Sequence, residues 1–152
     1  MTDALLSWML TVALAPGATP SEPSTAPVVE DPALAEAEAL YRQGEASYEV
    51  FDYDDAIEHW KNALSKLPAS PATAESRNAI VYNIASAQEK AFAQDHHVVR
   101  LHKAKALLER YVDEGIAARS VDDADVATAR ARIAELERRI AEAEADPGPT
   151  AP

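Results

Sequence analysis

Apolar positions along the chain recur at helical offsets in three separate stretches. In AEALYRQGEASYEVFDYDDAIEHWKNALSKLP, residues 37–68, the small residues Gly44, Ala56 and Ala63 alternate with the large residues Leu40, Tyr53 and Trp60. Helices approach closely only where side chains are small and larger ones fill in around the contact, which suits a helix crossing at these small residues. Pro68 closes the second helix. The stretch AIVYNIASAQEKAF (79–92), followed by KAKALLERYV (103–112), reads as another pair with its turn near Gln94 to His97. Ala85 and Ala104 are 19 residues apart where Gly44 and Ala56 are 12 apart, so this pair should be longer by about two helical turns. In the last stretch, 126–145, Val126, Ile133 and Ile140 stand seven apart and interleave with Ala129, Leu136 and Ala143. Ser120 with Asp123 forms a capping box for it, and Glu135 with Arg139 suits an outer, solvated face. The stripe is too short for a coiled coil, which sustains its pattern over at least about three heptads, and a helix capping its neighbours is expected.

One helix pair buries too little surface to stand alone. The first pair resembles the tetratricopeptide repeat, a unit of about 34 residues. Gly44, Tyr53, Ala56, Trp60, Ala63 and Pro68 fall at the family's small, aromatic and closing positions, with Leu40 in place of its tryptophan. Gln43 and Ser47 depart from it, standing where a leucine and a tyrosine are expected. The first copy spans 37–70 and a diverged second copy about 78–115, with Ile84 and Ala85 at the leucine and small positions and Gln88 in place of the tyrosine. The resemblance implies an all-α domain over residues 33–145, a right-handed stack of about two antiparallel pairs plus the C-terminal capping helix. It also implies noncovalent protein or peptide binding on a concave face. The family's groove positions fall here on Glu38, Tyr41, Glu45, Tyr48 and Glu49, then on Ala79, Tyr82, Ser86, Glu89 and Lys90. Tyr41, Tyr48 and Tyr82 offer rigid apolar bodies with one hydroxyl each. They are groove residues or, for Tyr41 and Tyr48, fillers of the gap left by Ser47. Asn83 alone matches the residues that clamp an acidic chaperone C-terminus, a ligand that Tyr41 and Glu45 would not hold.

Composition separates the ends from the middle. Pro16, Pro20, Pro23, Pro27 and Pro32 among Ala, Ser and Thr read as a flexible tether over 16–32, and 146–152 is similar. Residues 5–15, LLSWMLTVALA, are too short to span a membrane comfortably but have the length of a secretory signal core over 1–15. Ala13 and Ala15 supply a small-x-small cleavage site; no basic residue precedes the run, and Pro16 follows the cut. Export to the periplasm or envelope is expected, with a cytoplasmic location as the alternative.

The formal net charge of −12 disfavours nucleic acid and points to a basic or neutral partner. The chain has no cysteine, which excludes a disulfide framework and thiolate chemistry. His96, His97 and His102 with Asp95 hint at a metal site, but a spacing of five does not share one helical face, and incidental histidines at a turn are the simpler account. His59, beside Trp60, suits half-exposed packing. Asp54 with Asp55, and Asp122 with Asp123, sit at helix starts and complement the dipole. No phosphate-binding glycine loop, HExxH or GxSxG occurs. The expectation is therefore a non-enzyme with no cofactor, no metal and no small-molecule substrate. The alternative function is an oligomerisation or spacer module in which Val126, Ile133, Leu136 and Ile140 pair with a second copy.

Overall fold

The computed structural model describes residues 31–145. The expectations for the segments 1–15, 16–30 and 146–152 lie outside the described residues. Asp31 accepts a hydrogen bond from the Ala33 N–H at 3.0 Å, and Pro32 takes the first helical position, where a missing N–H costs nothing. Helix α1 (Pro32–Glu49) therefore starts at a residue that the composition assigned to the tether. Phe51, with φ 65°, turns the chain, and the Asp52 carboxylate receives the Asp55 N–H to open α2 (Tyr53–Lys66). Leu67 is extended ahead of Pro68, which ends that helix. A short 3-10 turn (Pro71–Thr73) leads into α3 (Ala74–Asp95), and His96 closes α3 in the left-handed conformation, φ 57°. The turn falls where the sequence places it. Helix α4 (Val99–Ala118) and α3 have 20 and 22 residues against 18 and 14 for α1 and α2, which is the extra length expected of the second pair.

Helix α5 (Asp123–Ala145) begins differently from the expected capping box. The Asp125 N–H donates to Asp122 Oδ1 at 2.8 Å and the Asp122 N–H donates to Asp125 Oδ2 at 3.2 Å, a reciprocal cap two residues later. Ser120 is committed to ending α4 instead. Arg119 adopts φ 55°, and the Ser120 N–H reaches back to the Gly115 carbonyl at 2.9 Å.

The described residues are helical without strands, and successive helices pack as antiparallel pairs, an all-α repeat-like architecture. Trp60 lies under Gly44, where a Cβ would stand 2.5 Å from the indole, and its Nε1–H donates to the Tyr41 carbonyl at 3.1 Å. Around this contact Ala37, Tyr53, Ala56, Ile57 and Ala63 meet Ile80, Ile84 and Ala87 of α3. A second cluster joins Ala85, Leu101, Ala104 and Leu108 to Leu136 and Ile140 of α5, and a third joins Val112 to Val126 and Ala129. Ile133 packs half-buried against the second cluster. The stripe Val126, Ile133, Leu136 and Ile140 thus packs against this chain's own helices.

Candidate binding groove

Side chains of α1 and α3 meet on one face of the stack. The Tyr41 hydroxyl accepts from Asn83 Nδ2 at 3.0 Å, across 42 residues of sequence. Beside that bond lies a hollow of about 300 Å³, lined by Tyr41, Glu45, Tyr48 and Glu49 of α1, Asn83 and Ser86 of α3, and Trp60 of α2. Five of the ten groove positions expected from the sequence, together with Asn83, therefore share one hollow. Glu38 lines an adjoining hollow of about 380 Å³ with Tyr41, Ala79 and Ile80. Tyr41 and Tyr48 stand 6.4 and 5.6 Å from the Trp60 ring, and Tyr48 meets Tyr53 edge-on at 5.2 Å. Both are half-buried against the core and also line the hollow.

The electrostatics of the hollow centre on the two tyrosine hydroxyls. Burial, and then the nearby Glu45 charge, raise the Tyr41 phenol above its ordinary value, with the Asn83 hydrogen bond working against them. Burial likewise raises Tyr48, with Tyr53 adding to it. Glu45 and Glu49 are exposed and form no ion pair among the described residues. The hollow can therefore accept hydrogen bonds and attract a cation, with aromatic edges for the attached carbon chain.

The rest of the expected face is engaged by α5. Arg132 donates to Glu89 and to Ser86 Oγ, the latter at 3.3 Å, and its guanidinium lies 4.6 Å over the Tyr82 ring. Tyr82 also packs on Tyr111, at 5.1 Å. Arg139 reaches Glu89 at 3.4 Å and covers the Phe92 ring at 5.3 Å. Arg139 is therefore an inner residue, not an outer partner of Glu135, which pairs with Arg138. The sequence reading missed both arginines as part of this face. Their signal was present: Arg132 and Arg139 recur seven apart, each one residue before an isoleucine of the buried stripe. Lys90 is exposed and does not line the hollow.

The histidines serve helix ends. The His97 backbone N–H donates to Asp95 Oδ1 at 2.9 Å, and His102 meets Glu144 at 2.9 Å near the far end of α5. No group of three or more metal-ligating side chains comes together among the described residues. No described helix is long and apolar enough to cross a membrane. Neither a family model, nor a curated protein, nor a solved structure matches the chain. What the fold defines is an all-α protein of helices packed in successive pairs.

Proposed function

We propose that this chain is a tetratricopeptide-like scaffold that binds a protein or peptide noncovalently in the hollow between α1 and α3. One observation carries the reading. Tyr41, Glu45, Tyr48, Glu49, Asn83 and Ser86, drawn from two helix pairs, converge on a single open depression whose carboxylates are unpaired. A side chain that ends in a cation and has an apolar stem fits that surface, so the partner segment carries lysine or arginine. Arg132 and Arg139 complete the face from α5 by holding Glu89, which leaves Glu45 and Glu49 as the carboxylates that meet the partner. The test is a peptide library with single lysine or arginine positions, titrated against the wild type and a Glu45→Lys, Glu49→Lys variant. About tenfold weaker binding by the folded variant is expected; equal affinity would remove the groove from the function. As part of the same proposal, residues 1–15 direct export. An intact Met1 on the mature protein in a soluble cytosolic fraction would overturn that part.

A further inference from the structure

The opposite side of the stack carries the opposite charge. Helices α2 and α4 wall a cleft of about 730 Å³ whose floor is α3. Lys61, Arg77, Arg100, Lys103 and Arg110 line it, against one carboxylate, that of Asp54. In a chain with 14 basic and 26 acidic residues, a random surface of this size would carry more carboxylates than cations. Some of the positive charge is already matched. Arg100 is held by Asp54 and Asp95, and Arg110 by Glu114 at 2.8 Å. The remainder is not: Arg77 donates to the backbone carbonyls of Leu64 and Leu67, and the exposed Lys61 and Lys103 meet no carboxylate among the described residues.

The walls between these cations are apolar. Ile57 and Ile84 are buried at the base, and the half-buried Leu64 and Leu107 stand above them. Gln88 lines the same cleft while only 5% exposed, and its Oε1 meets no donor among the described residues. A nucleic-acid backbone would satisfy the cations but leave the apolar strip in water. An amphipathic segment with acidic flanks satisfies both at once. We propose that this cleft docks an acidic amphipathic polypeptide segment of a partner, with apolar side chains against Leu64 and Leu107 and carboxylates on Lys61 and Lys103. The protein would then hold a cationic segment on one face and an acidic one on the other.

The probe is a fluorescein-labelled peptide with leucine at i, i+3, i+4 and i+7 and glutamate elsewhere, followed by anisotropy with the full chain. Saturable binding that falls about tenfold in a Lys61→Glu, Lys103→Glu variant, and persists in the Glu45→Lys, Glu49→Lys variant, is the expected result. Both lysines are exposed, so circular dichroism should find the reversal variant folded. Equal affinity in the reversal variant, no binding at low salt, or equal binding of a lysine-for-glutamate peptide would each overturn the proposal. So would an oligonucleotide that binds through Lys61 and Lys103 while the peptide does not.

Discussion

Gly44 and Trp60 illustrate what a single position controls in this fold. A large indole sits in the crossing of α1 and α2 because the residue facing it has no side chain. In the second pair Ala85 and Leu108, both fully buried, belong to one core cluster. A Gly44→Ala substitution places its Cβ 2.5 Å from Trp60 Cδ1 and Nε1, and Trp60 is only 3% exposed and cannot swing away. The expected cost is about 1–3 kcal/mol in urea unfolding. In a Trp60→Leu background the same substitution should cost less, and a double-mutant cycle reads the difference. Additive losses would show that the two residues do not share this constraint. Both residues were legible through the resemblance to the tetratricopeptide repeat. The hydrogen bond from Trp60 to the Tyr41 carbonyl was not, since it depends on how deeply the helices interlock.

At the scale of elements, helix starts were readable as a type and less so as a position. Ser120 and Asp123 satisfy the pattern of a capping box, yet the reciprocal pair is Asp122 with Asp125. The competing requirement is the end of α4, where Arg119 turns left-handed and consumes Ser120. Asp122→Ala should therefore lower stability by about 1 kcal/mol, whereas Ser120→Ala should change it by less than about 0.5 kcal/mol. Thermal unfolding of the two variants side by side distinguishes the capping schemes, and a larger loss at Ser120 would restore the original one. The stripe of α5 was read correctly as the covering of neighbouring helices. Arg139 was placed on the outer side and Arg132 on neither, because a periodic pattern marks the buried face without saying what lies along its margin.

For the molecule as a whole, Arg100 is the joint between the two helix pairs. It grips both Asp54 oxygens, at 2.6 and 3.0 Å, from the start of α4 and holds Asp95 at the end of α3 at 2.6 Å. The Arg100 hydrogen bonds hold the Asp54 carboxyl below its ordinary value. Burial pushes Asp95 upward, but hydrogen bonds from the His97 N–H and Arg100 outweigh it and leave it lowered as well. Carboxyls lowered on folding contribute stability that is complete above the unfolded value near about 4 and is lost as pH falls through the folded values. Arg100→Gln should therefore be less stable than wild type at pH 7, with the gap closing as pH falls below about 4. Chemical unfolding across that range checks this, and a gap independent of pH would mean that Arg100 acts through packing alone.

The sequence by itself determined the helices, which follow from local periodicity, and its resemblance to the tetratricopeptide repeat supplied their pairing and the small-residue crossings. The α1 residues Tyr41, Glu45, Tyr48 and Glu49 that border the hollow were supplied by the resemblance to the tetratricopeptide repeat, while Glu38, expected with them, lines the adjoining one. Only the tertiary structure decided that Arg132 and Arg139 belong to that face and that Lys61, Arg77 and Lys103 share a cleft on the other. Those groupings join residues from different helices, and their distances depend on how each helix pair is set against the next, which no single-helix pattern encodes.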